Sequence, residues 1–171
     1  MQIVNDSKSG NFDETSNVPL AEQGSRVVGG KRIARAAAAR PALLLSRVGN
    51  VINEIADERL AGIGLAGRDY AVLAILATDA PDSQHELAGL MGKAPGLVVA
   101  AIDSLEDRGL VKRVRDRADR RRTRVELTHA GQKALSQSDA VAEAVLEEIF
   151  DGLDRAEREK LAELLARGVG I

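Results

Sequence analysis

The stretch "SQHELAGLMGKAPGLVVAAIDSLEDRGLVKRVR", residues 83–115, decides how this chain folds. It opens with Ser83-Gln84-His85-Glu86, the S-x-x-E form of a capping box, in which the serine hydroxyl accepts a first-turn amide and the glutamate reaches back. This pattern predicts a short helix ending near Met91, with Gly92 closing it. A few residues later Pro95 occupies a first helical position, and Val98, Ile102 and Leu105 recur at i, i+4 and i+7 until Gly109 offers a left-handed cap. Two short helices with a tight turn between them form a helix-turn-helix candidate.

Sheet is expected next. "LVKRVR" and "TRVELT" alternate, with Val125 and Leu127 on one side and Arg124 and Glu126 on the other, so that Asp116 to Arg122 becomes the charged tip of a β-hairpin. Thr128 can cap a long helix whose Leu135, Val141, Val145, Leu146, Ile149, Phe150 and Leu153 continue the core or form an interface. Asp154 with Glu157 repeats the capping-box logic for a last helix carrying Leu161, Leu164 and Leu165.

Upstream, Pro41 marks a helix start, and Leu44, Leu45, Val48, Val51, Ile52 and Ile55 follow at helical spacing to about Leu60. After the Gly62-Ile63-Gly64 break a second helix runs from about Gly67 to Thr78, with Tyr70, Leu73 and Leu76/Ala77 on one side. "DAPD" forces a turn. Residues 1–30 are polar and lack apolar period, so they read as a disordered or weakly ordered tail. "RVVGGKRIARAAAAR" (26–40) holds five basic residues and no acidic one, and reads as a short helix or a basic arm.

Composition narrows the functional classes. A length of 171 residues with 44% hydrophobic content suits one soluble domain with a real core, and 29% charged against 2% aromatic residues favours helix over sheet. With no cysteine, disulfides and thiolate zinc ligands are excluded. The first twenty residues show neither a basic n-region nor an apolar h-region, and no run of eighteen apolar residues occurs, so the expected location is the cytoplasm, without membrane contact. Nothing suggests an enzyme: P-loop, dinucleotide fingerprint and nucleophile elbow are all missing. His85 and His129 sit in a capping box and at a helix start without metal-ligand spacing, so no metal or cofactor is expected.

Charge is segregated. Residues 108–124 carry nine basic residues against two aspartates, a balance of +7, which leaves −9 for the rest of a chain whose net charge is −2. One basic feature on an acidic body points to a polyanion contact at one place; a solvated basic loop is the bland alternative.

Helix, helix, helix-turn-helix and then a basic hairpin is the winged-helix order, here flanked by long apolar helices. At this point the chain resembles the MarR family of bacterial transcription regulators, from about Leu43 to Leu165. The resemblance rests on "GLAGRDYAVLAIL", "ELAGLMG", "VVAAIDSLEDRGLVKR" and "DRADRRRTRVELTHAGQKAL", the last matching a D-x-x-D-R-R…L-T-x-x-G pattern. It implies a mainly α fold with a small β-hairpin wing, in which a winged helix-turn-helix DNA-binding lobe (66–128) lies between N-terminal (31–65) and C-terminal (129–171) dimerisation helices. It further implies a homodimer, a ligand-responsive regulator, most simply a repressor, on a roughly palindromic double-stranded operator. A small aromatic or phenolic effector is expected between the dimerisation helices and the DNA lobe. Packing of the long helices into a compact monomer is the structural alternative, and a winged helix used for protein contacts is the functional one.

Residue roles follow from chemistry within that frame. In the wing, Asp116, Asp119 and Arg121 are expected to shape the turn, Arg117 and Arg120 to enter a narrow minor groove, and Lys112, Arg113, Arg115 and Arg122 to meet phosphates. Arg124 reads as a solvated partner of Glu126. The recognition helix presents Lys93, Ala94, Pro95, Gly96, Leu97, Val99, Ala100, Asp103 and Ser104, of which the apolar members make no bidentate bond to bases; they either touch thymine methyls or complete the core. For an anionic effector, Arg47, Asn50 and Tyr70 are the candidates. The lack of cysteine also excludes a thiol-oxidation switch.

Overall fold

The computed structural model of the protein describes residues 26–28, 30–34, 37, 39–115 and 123–171. It divides into two compact units, 1–48 and 49–171. In the first, β1 (Arg26–Val28) pairs antiparallel with β2 (Lys31–Ile33), and Gly30 takes a left-handed φ of +76° in the turn. This hairpin takes the place of an unordered tail over residues 26–30, while Ala37, further along the 26–40 segment, is helical. "VVGG" followed by Ile33 is a hairpin signal, β-branched residues about a glycine pair, and it was masked by the density of basic residues around it. Early in α1 (Pro41–Ala61), Arg47 donates from Nε to the Arg32 carbonyl at 3.0 Å.

In the second unit, the later turns of α1 bury Val51, Ile55 and Leu60. The next helix, α2 (Gly67–Thr78), starts where expected, because Asp57 Oδ1 accepts the Gly67 N–H at 2.7 Å and places a negative charge at the helix N-terminus. Val72, Leu73 and Leu76 are its buried apolar face, whereas Ala77 is exposed.

Ser83 caps α3 (Gln84–Met91) by accepting the Glu86 N–H at 3.1 Å. The reciprocal half of the box is displaced: Glu86 Oε2 accepts from the N–H of Asp82, one residue earlier, at 2.8 Å. Gly92 closes the helix with φ +58°, and α4 (Pro95–Asp107) leaves the turn bent by 111° from α3, within the range of helix-turn-helix motifs. Val98, Ala101, Ile102 and Leu105 are fully or almost fully buried, each of the larger side chains contributing about 1.5–3 kcal/mol of apolar burial. Gly109 then accepts the left-handed conformation that returns the chain to β3 (Val111–Arg115).

β3 pairs antiparallel with β4 (Thr123–Leu127) from Val111↔Leu127 to Arg115↔Thr123, so Val111 and Val125 face the core. Thr128 caps α5 (His129–Ile149) by accepting the Gly131 N–H at 3.0 Å. Asp154 and Glu157 complete both halves of the capping box that starts α6 (Arg155–Val169), each bond 2.8 Å long. No residue of α6 is buried, and Leu164, Leu165 and Val169 are exposed at 44%, 45% and 74%. Leu60, Leu73, Leu87, Ile102, Leu105 and Val111 anchor a single core around the helix-turn-helix. Among the described residues no single helix is long and apolar enough to cross a membrane.

Candidate nucleic-acid interface

With Val98, Ala101, Ile102 and Leu105 turned inward, the opposite face of α4 is left to solvent. Lys93, Ala94, Pro95, Gly96, Leu97, Val99, Ala100 and Asp103 are exposed and Ser104 half-buried. Leu97 is 66% and Val99 38% exposed, so these apolar side chains do not complete the core. Ser104 and Asp103 are the only polar side chains on the helix before Glu106.

Beside this face runs β3, and here Arg113 departs from its expected role along the phosphates. Its guanidinium bonds both Asp103 and Glu106 of α4, and its N–H donates to Glu106 Oε1 at 2.8 Å. The backbone bond, then the guanidinium, hold the Glu106 carboxyl below the usual carboxylate range. Burial works against the Arg113 charge, yet bonds to Asp103 and Glu106 outweigh it and raise the Arg113 pKa. A lowered carboxylate pKa contributes stability that is present above the ordinary value and lost as pH falls through the lowered one. Arg113 thus neutralises two acids that would otherwise face a polyanion. Lys112 stands 3.4 Å from Glu126 across the ladder; with both groups well exposed, the pair adds little stability. Arg115 is exposed at the end of β3. Asp116, Arg117, Asp119, Arg120, Arg121 and Arg122 lie outside the described residues.

A cavity of about 540 Å³ opens between α1, α2 and α5. Ile52, Ala56, Leu60, Val145 and Leu146 form apolar wall, while Asn53, Asp57, Arg68, Tyr70 and Lys93 supply polar groups. Tyr70 donates its hydroxyl to Asp139 Oδ1 at 3.0 Å; burial first, then that carboxylate, raises its pKa. Of the three sequence-expected effector residues, only Tyr70 lines this space. Asn50 is exposed on α1 and not part of the lining, and Arg47 belongs to the N-terminal unit. Arg68 and Asn53 were missed, because helical periodicity distinguishes polar from apolar positions without showing which polar ones border a cleft. Among the described residues no group of three or more acids and histidines is placed to hold a metal.

A family model described as "MarR family" matches residues 63–122, from the turn before α2 to the wing. CouR from Rhodococcus jostii, solved bound to p-coumaroyl-CoA, is 30% identical over 78% of this chain and 94% of its own, with a TM-score of 0.65. The chain belongs to the MarR family. A MarR-family transcriptional regulator of a Rhodococcus species is 28% identical over 75% of this chain and 93% of its own, with a TM-score of 0.66. A MarR-family protein of Mycobacterium tuberculosis in complex with salicylic acid is 25% identical, covering 74% and 93%, with a TM-score of 0.62. Within a MarR-family lobe, α3 and α4 are the helix-turn-helix and β3 with β4 the wing.

Proposed function

We propose that this MarR-family chain is a ligand-responsive DNA-binding regulator that represses transcription as a homodimer on a roughly palindromic operator. The observation that carries the reading is α4's solvent-facing side lying next to a basic strand whose acidic neighbours are already neutralised by Arg113. Lys93, Lys112 and Arg115, with Arg122 and the wing-tip Arg117 and Arg120, form the positive contact set, while Asp116, Asp119 and Arg121 shape the tip. Exposed leucines on α6 supply an apolar surface for a second copy. Two lobes then read sites one DNA turn apart, about 34–36 Å.

Titration of the full chain against its own upstream DNA at several salt concentrations tests this. With roughly eight phosphate contacts per dimer, log K is expected to fall linearly with log salt at a slope near −7. Arg120→Ala is expected to weaken binding about tenfold and to cost more than Val99→Ala. A flat salt response overturns the reading and favours the protein-contact alternative, which Leu97 and Val99 motivate by their exposure.

The effector belongs in the 540 Å³ cavity, within the size range of small-molecule sites. Arg68 and Lys93 suit a carboxylate or phenolate, and the apolar wall suits an aromatic ring. The relatives bound to p-coumaroyl-CoA and salicylic acid support that ligand class. Salicylate is expected to raise the melting temperature in proportion to its logarithmic concentration. Arg68→Ala, an exposed change, should remove most of that shift; an unchanged shift places the anion elsewhere.

A further inference from the structure

We infer that α4 reads DNA through thymine C5-methyl groups, with Leu97 as the principal specificity-determining side chain; this rests on the DNA-binding reading above. Between Ala94 and Ser104 the helix has no Arg, Lys, Asn or Gln, the side chains that make bidentate bonds to purine edges. Its polar members there are Asp103, engaged by Arg113, and Ser104. What it presents instead is Leu97, 66% exposed, and Val99, 38% exposed, beside the small Gly96 and Ala100.

Positions 97, 100 and 104 share one helical stripe and 96, 99 and 103 the adjacent one, so the exposed surface, apolar at 96, 97, 99 and 100, spans the helix from one flank of the buried Val98-Ala101-Ile102-Leu105 face to the other. In the major groove the one apolar group on a base edge is the thymine methyl. The flanking charge selects DNA as the occupant: exposed Lys93 precedes the helix, exposed Lys112 and Arg115 lie on β3, and Arg113 cancels the repulsion of Asp103 and Glu106. Gly96 and Ala100, lacking bulk, permit the close approach that Leu97 needs to reach a methyl group.

The consequence is an operator whose half-sites carry thymines under the first two turns of α4. Full-length protein is used to enrich a random-sequence duplex pool, and the tightest duplex is resynthesised with deoxyuridine replacing thymine one position at a time. Deoxyuridine keeps every hydrogen-bonding group and removes only the methyl. At two or three thymines per half-site the substitution is expected to weaken binding about three- to fivefold each, the scale of one buried methyl. Leu97→Ala, a solvent-facing change that leaves the core intact, is expected to weaken the thymine duplex by a similar factor and to abolish the deoxyuridine penalty at the thymine it covers. Equal binding of thymine and deoxyuridine duplexes overturns the inference while leaving DNA binding intact. So does a deoxyuridine penalty that survives Leu97→Ala. Failure to retain any duplex, whichever pyrimidine it carries, overturns the DNA-binding reading as well.

Discussion

Replacing Gly131 by alanine is expected to destabilise the 49–171 unit by about 3 kcal/mol, at the upper end of overpacking costs. A Cβ at this position would stand 2.0 Å from the Leu110 carbonyl oxygen and 3.0 Å from its carbon. Both atoms are backbone, so no rotamer change relieves the clash. They are also held in place: Leu110 O accepts the Thr128 N–H at 3.1 Å, and the Thr128 hydroxyl donates to Gly109 O at 2.7 Å. Separating α5 from the end of α4 therefore breaks the cap of one helix and the exit turn of the other. In thermal unfolding the expected drop is roughly 10 °C.

Gly89 provides the contrast. It lies within α3 with nothing within 4 Å of the site of a Cβ, so Gly89→Ala is expected to gain about 0.5–1 kcal/mol from reduced unfolded-state entropy and better helix propensity. Urea unfolding of both variants separates a steric requirement from a general intolerance of substitution. A Gly131→Ala protein that unfolds like the parent would mean that α5 shifts away from Leu110 without loss. The glycine of L-T-x-x-G is thus explained by one close approach rather than by backbone conformation, since Gly131 has no positive φ.

Elements whose signals are local were legible in the sequence. Ser83, Pro95, Gly109, Thr128 and Asp154 each mark an end of a helix through chemistry confined to a few residues, and the structure places a helix boundary at every one of them. The outward face of α4 was legible too, because the period of Val98, Ile102 and Leu105 leaves it no other side. Relations across the chain were not. Arg113 looked like one more wing cation until the return of the strand beside α4 brought it against Asp103 and Glu106. Tyr70 was recoverable as an aromatic at the margin of an apolar face, whereas its partner Asp139 lies 69 residues away on α5. Asn50 lies one turn before Asn53 on the same side of α1, but the lining begins only at Ile52, so distance along the helix rather than direction leaves it outside the cavity.

Arg108→Ala is expected to cost about 2 kcal/mol of stability and to weaken DNA binding without touching DNA. Asp69 is only 4% exposed, and Arg108 NH1 reaches its Oδ2 at 3.1 Å while NH2 donates to Gly64 O at 2.7 Å. One guanidinium thereby joins the end of α4 to the start of α2. Removing it leaves Asp69 with the Ala66 N–H at 3.1 Å and, at 3.7 Å, the exposed Arg68. Breaking a fully buried ion pair costs about 3–5 kcal/mol; the Arg108 side chain is 35% exposed, so the smaller figure allows for solvent screening. Asp69→Asn in the Arg108→Ala background should recover about 1 kcal/mol, because it removes the uncompensated charge and keeps an oxygen for Ala66. The salt dependence of binding then separates two roles. A positioning residue lowers affinity at every salt concentration and leaves the slope unchanged, whereas a phosphate contact reduces the slope by about one per contact. An unchanged slope with lower affinity is the expected result. A reduced slope would make Arg108 a direct ligand of the backbone, and its bond to Asp69 would then hold the guanidinium for DNA rather than hold α4 to α2.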